Sequence, residues 1–97
     1  MTGYILMHAE VTDPEEYEHF KVAAAKAIVD LDGRYLVRGG ASTPLEGDFG
    51  SRVVLLEFPS YEDALAFYRS EAYQAARAVR LRCATASILA MDGLLTT

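Results

Sequence analysis

The chain has 97 residues, 52% hydrophobic and 24% charged, with one cysteine and a formal net charge of −5. This is the profile of one small globular domain, residues 1–97, whose core is modest, so that a deep cavity needs a second subunit. The acidic balance argues against a nucleic-acid partner, lone Cys83 excludes an internal disulfide or multi-cysteine metal site, and no apolar run nears the ~20 residues of a membrane span.

Residues 4 to 11, YILMHAEV, alternate as a strand: Ile5, Met7, Ala9 and Val11 share one face, and Tyr4, Leu6, His8 and Glu10 the other. The stretch lacks the basic region and cleavage site of a signal peptide, and the expected location is cytoplasmic. TDPEEYEHF then opens a helix, with Asp13 as cap, Pro14 at the first helical position and Glu16 three residues after the cap. Tyr17, Phe20, Ala24, Ala27, Ile28 and Leu31 follow at steps of three and four and form its apolar stripe. Gly33 is expected to end the helix in the left-handed conformation.

RYLVRGG is the second strand, leaving through Gly39-Gly40, where a bulge or bend is permitted. ASTPLEGDFG carries Pro44, Gly47 and Gly50 and predicts a loop. SRVVLLEFPS is the third strand, nearly continuous in apolar residues as a central strand is. Ser60 caps a second helix, and a further cap at Ser70 predicts that it breaks there and restarts toward Leu81. Arg77, Arg80 and Arg82 read as cations in the last turn, where the helix dipole favours them. TASILAMDG is the fourth strand, and the tail LLTT is weakly specified.

The order strand, helix, strand, strand, helix, strand is the split βαβ arrangement of an α+β, ferredoxin-like sandwich: an antiparallel sheet with helices on one face. Several stretches together, DPEEY, GRYLVRGG, LEG, RVVLLEFPS and AFYRSEAYQAAR, resemble the bacterial domain-of-unknown-function family 1330 over essentially the whole chain. The resemblance implies a ferredoxin-like fold that pairs as a dimeric α+β barrel, a superfamily that includes cofactor-independent monooxygenases, lactone isomerases and haem-dependent enzymes. It supplies architecture and not chemistry. Phe67 stands where the family often has Trp, and Phe49 is the aromatic of the loop after LEG.

Parity assigns the strand faces. The open face, away from the helices, receives Tyr4, Leu6, His8 and Glu10 from strand one, and Arg34, Leu36 and Arg38 from strand two. Strand three adds Val53, Leu55 and Glu57, and strand four Thr85, Ser87, Leu89 and Met91. Such a face is too apolar to leave bare and too charged to bury without partners. A cavity partly covered by a second copy of the chain reconciles the two.

On this reading His8 is the candidate proton-transfer group, with Arg38 stabilising negative charge and Glu57 orienting His8 or acting as a base. Arg34, Tyr4, Tyr35 and Tyr68 are candidate substrate-binding residues. The bland alternatives stand beside these: Arg34 and Arg38 paired with Glu10, Glu46 or Glu57 as ordinary cross-strand ion pairs, His8 as a hydrogen-bonded strand residue, and Tyr35, Tyr68 and Tyr73 as core. No ligand set for a metal and no cofactor motif is recognisable, and none is expected. Function reads as a cofactor-independent enzyme acting on a small anionic or enolisable molecule. The alternatives are a non-catalytic small-molecule binder and a structural homodimer.

Overall fold

The computed structural model describes residues 2–94; of the expected tail LLTT, only Leu94 falls within it. Four strands and three helices follow in the order β1 (Gly3–Val11), α1 (Pro14–Asp30), β2 (Arg34–Arg38), β3 (Arg52–Phe58), α2 (Tyr61–Arg69), α3 (Glu71–Arg80) and β4 (Ala84–Asp92). The strands form one antiparallel sheet in the order β2-β3-β1-β4. This is the ferredoxin-like α+β fold expected from the element order.

Helix starts follow the capping chemistry. The Asp13 carboxylate accepts from the Glu16 backbone N–H, and Pro14 occupies the first turn. Ser60 accepts from the Asp63 N–H, and Ser70 accepts from the Tyr73 N–H at 3.1 Å. Ser70 is thus both the end of α2 and the cap of α3, and the helix breaks where expected.

The end of α1 differs from expectation. Asp32, not Gly33, takes the left-handed conformation (φ 62°), and the Gly33 N–H closes the turn on the Ile28 carbonyl at 2.8 Å. Gly33 is needed for a different reason: a Cβ there would lie 2.8 Å from Phe58 Cζ.

The core lies between the helices and one sheet face. Ile5, Met7, Val54, Leu56 and Phe58 from the sheet meet Tyr17, Phe20, Ala24, Ile28, Phe67 and Tyr73 from the helices. Phe67 stacks between Phe58 and Tyr73, with ring centroids 4.8 and 4.7 Å away. Each such fully buried side chain contributes about 1.5–3 kcal/mol of hydrophobic stabilisation.

The parity assignment holds for β1, β3 and β4, whose registers place Tyr4, Leu6, His8 and Glu10 beside Glu57, Leu55 and Val53 on one flank, and Met91, Leu89, Ser87 and Thr85 on the other. It fails in β2. A bulge between Tyr35 and Val37 inserts Leu36 as an extra residue, so Val37 pairs with Leu55 on the open face and Arg38 with Val54 on the helix face.

Candidate functional site

The open face does not assemble the cluster expected from sequence. Arg38 is on the other side of the sheet. Its guanidinium lies over the Tyr35 ring, 4.3 Å from the centroid. Glu57 and His8 do share the face, but their β1–β3 register positions are four residues apart, about 13 Å along the strands. Glu57 therefore does not orient His8. It binds Arg34 instead: Arg34 Nε and Nη2 both donate to Glu57 Oε1 at 2.7 Å. That is the cross-strand ion pair foreseen as the bland alternative for Arg34.

His8 stands between Val53 and Ser87 in register, with the Phe49 ring edge-on at 5.3 Å. The loop holding Phe49 reaches this face because Gly50 (φ 70°) lets the chain pass against the Ala9 carbonyl, which accepts from the Ser51 N–H. The space beside His8 is an open cleft bounded by Glu10, Asp48, Gly50, Thr85 and Ser87. Tyr4 accepts a hydrogen bond from the Thr2 hydroxyl at 3.1 Å. Leu89, 55% exposed, and Phe49, 39% exposed, leave this face strongly apolar.

A narrow, partly open cavity lies on the other face, between the sheet and α1. It has a volume of about 30 Å³ and is walled mostly by core side chains, among them Phe20, Ala24, Ile28, Val54 and Phe67. Tyr17, Lys21, Tyr35, Arg52 and Tyr73 also border it. Of the candidate binding tyrosines, Tyr35 lines this cavity, whereas Tyr68 borders a separate groove between α2 and β4 and packs on Tyr73, itself a cavity residue. A wider outer cleft of about 440 Å³ shares Lys21 and Arg52 with the cavity and is completed by Glu18, Val22, Ala25 and Arg38.

Two arginines missed by sequence reasoning dominate this region. Arg52 heads β3 in phase with Val54, Leu56 and Phe58, so its side chain enters on the helix side. Its guanidinium lies 5.5 Å from the centroid of the Tyr17 ring and against Gly39, where a Cβ would come within 2.7 Å of Arg52 Cζ. Arg80 follows Tyr73 and Ala76 at steps of three and four on the buried face of α3 and is only 4% exposed. It is a buried cation, not a helix-end surface charge; only Arg82 of the three pairs at the surface, with Glu16 at 2.8 Å. Phase with buried neighbours was the signal that could have found both.

Burial pushes the Tyr17 and Tyr73 hydroxyls above their ordinary range, while Arg52 beside Tyr17 and Arg80 beside Tyr73 pull back against it. Both hydroxyls are therefore neutral donors at physiological pH. Yet Tyr17 Oη, Tyr73 Oη and the Nε atoms of Arg52, Arg77 and Arg80 are buried without a well-formed hydrogen bond among the described residues. Such groups are uncommon in a finished core and each costs about 1–3 kcal/mol. Three of these five atoms, Tyr17 Oη, Tyr73 Oη and Arg52 Nε, are on residues that wall the cavity.

Among the described residues, no group of three or more His, Cys, Asp and Glu side chains is placed to hold a metal ion, and no helix is long and apolar enough to cross a membrane.

Solved structures share the architecture at low identity. A protein of unknown function from Rhodopseudomonas palustris, RPA0582, superposes with TM-score 0.76 at 16% identity, covering 98% of this chain and 84% of that one. A dimeric ferredoxin-like protein of unknown function from Thermobifida fusca gives 0.64 at 15% identity, covering 95% and 91%. SnoaB, a cofactor-independent oxygenase from Streptomyces nogalater, gives 0.65 at 10% identity, covering 98% and 95%. These likenesses are likenesses of fold. No curated protein matches the chain. Residues 2–94 match the family described as Domain of unknown function (DUF1330), and the chain belongs to that family.

Proposed function

We propose that the protein is a small-molecule-binding homodimer whose ligand sits between the sheet and α1, while the open sheet face is covered by a second copy of the chain. The observation that carries the first half is a set of three orphaned buried groups, Tyr17 Oη, Tyr73 Oη and Arg52 Nε, on residues that wall an otherwise apolar cavity. A core gains nothing from such groups unless something accepts from them. The second half rests on the exposed apolar residues of the open face, Leu89 and Phe49 among them, and on the dimeric state of the Thermobifida fusca protein of like fold. A reducing cytoplasmic setting fits the single buried thiol of Cys83.

Turnover without a cofactor is the second reading. It is favoured by the same groups, since preformed N–H and O–H donors at a largely apolar cavity stabilise an oxyanion as it develops. His8 is the separate proton-transfer candidate on the open face, where a covering subunit would enclose it.

The test is occupancy. Ala24 is buried at the cavity wall, so Ala24→Leu fills the space. Small organic molecules that raise the melting temperature of the parent protein should lose that effect in this variant. Ligands unaffected by the substitution would place binding elsewhere and refute the reading. Product analysis of the stabilising compounds then separates turnover from binding alone.

A further inference from the structure

The arginines in and around this part of the core share one property: among the described residues none forms an ion pair with an acid. The ion pairs among the described residues engage Lys21 with Glu18, Arg34 with Glu57 and Arg82 with Glu16. Arg52, Arg77 and Arg80 take part in none of them, although the chain as a whole carries five more acids than bases. Each guanidinium offers five N–H donors and no acceptor. A tyrosine oxygen can accept one of these, but its own proton then still lacks a partner. The complement of such a set is an acceptor-only group bearing negative charge.

The approach to the cavity has the same sign. The bulge at Leu36 turns Arg38 to the helix side, where it joins Lys21 and Arg52 around the outer cleft, with Glu18 as the single acid. On a chain of net charge −5, a local basic mouth draws anions toward this cleft in preference to the rest of the surface.

We propose that the cavity takes a small organic anion, a carboxylate or an enolate or phenolate of like charge, received by Arg52 with the Tyr17 and Tyr73 hydroxyls and admitted past Lys21 and Arg38. This inference rests on the cavity being the binding site, and it adds the charge class of the ligand. Arg52, which borders both cavity and cleft, receives the charged group. The cavity volume of about 30 Å³ accommodates little more than the charged group, so the body of the ligand extends into the outer cleft beside Val22 and Ala25.

Two probe pairs of matched shape test the charge: propionate against propionamide, and benzoate against benzamide, titrated into the parent protein at low ionic strength. In at least one pair the carboxylate is expected to bind at least about tenfold more tightly than the amide, the scale of a charge-assisted contact. Arg52→Gln, at a half-buried position, should reduce that ratio to about threefold or less. Gly39→Ala, which displaces the Arg52 guanidinium without touching its charge, should lower it in the same direction. Equal binding of acid and amide, or a ratio unchanged in Arg52→Gln, overturns the anion assignment while leaving the cavity reading intact. Binding of none of the four probes, or carboxylate binding unaltered by Ala24→Leu, overturns both.

Discussion

The guanidinium of Arg38 lies 4.3 Å from the centre of the Tyr35 ring, three residues earlier in the same strand. Residues three apart in a regular strand face opposite sides. Here they share the helix side because Leu36 is extra in the β2–β3 ladder, and this one residue decides which face of the sheet Arg38 serves.

The consequence is testable by charge alone. Arg38 is exposed at the mouth of the outer cleft, so its influence is long-range and screened by salt. Arg38→Gln should weaken propionate binding about two- to fivefold at low ionic strength, and the difference should vanish near 0.5 M salt. Deleting Leu36 removes the bulge but leaves Arg38 opposite Val54 on the helix side, so that variant should keep the parent's affinity and its salt dependence. An affinity unchanged in Arg38→Gln would remove Arg38 from the cleft's function.

Arg34 provides the contrast. Its ion pair with Glu57 spans one exposed and one largely covered side chain at 2.7 Å. Pairs of this kind contribute about 0–1 kcal/mol. Arg34→Gln should therefore lower stability by less than about 1 kcal/mol in urea titrations and leave carboxylate affinity untouched, since the pair is on the face opposite the cavity. A large loss of ligand affinity would show that the open face, and not the cavity, holds the ligand.

The open face bears on assembly. Leu89 and Leu6 are paired neighbours in the β1–β4 ladder, and a charge at Leu89 would be carried into the middle of any sheet-to-sheet contact. Leu89→Glu is expected to raise the dimer dissociation constant at least tenfold, about 1.4 kcal/mol, measured by sedimentation. A parent protein that sediments as one chain at micromolar concentration would refute the dimer itself.

Most of the fold was legible because its signals are local. Asp13, Ser60 and Ser70 cap helices by side-chain chemistry that the sequence displays, and the alternation in β1 reports its two faces directly. The site was less legible for two physical reasons. A bulge leaves no mark in a five-residue strand such as RYLVR, so parity carried Arg38 to the wrong face and into a cluster with His8 that does not form. Arginine in a last helical turn is ordinarily a surface cation, and that prior hid Arg80, whose spacing from Tyr73 and Ala76 placed it among buried neighbours. Gly33 shows the same limit from another side: its presence was readable, but its reason, the ring of Phe58 against it, is a contact between distant parts of the chain. Gly33→Ala should cost about 1–3 kcal/mol through overpacking, although no left-handed conformation is lost.

The two buried tyrosines tie stability to pH and to function. Burial raises Tyr17 and Tyr73 above the ordinary 10.0 and Cys83 above 9.0. Each group holds its proton more tightly in the folded chain than in the unfolded one, so folding stability is fully present below pH 9. It falls as pH rises past 9 for the thiol and past 10 for the phenols, because the unfolded chain ionises first. Urea midpoints measured from pH 8 to 11 should decline over that range. In the double variant Tyr17→Phe, Tyr73→Phe the decline should be shallower, while arginine charges stay constant throughout. At pH 7 the same variant should be no less stable than the parent without ligand, since it deletes hydroxyls that lack partners. Carboxylate affinity should nonetheless drop severalfold. A variant that unfolds more readily at pH 7 would mean that the hydroxyls serve the core; one that binds as the parent does would mean that they do not serve the ligand. The expected combination, stability kept and binding lost, is the signature of polar groups retained for a ligand at the expense of the empty protein.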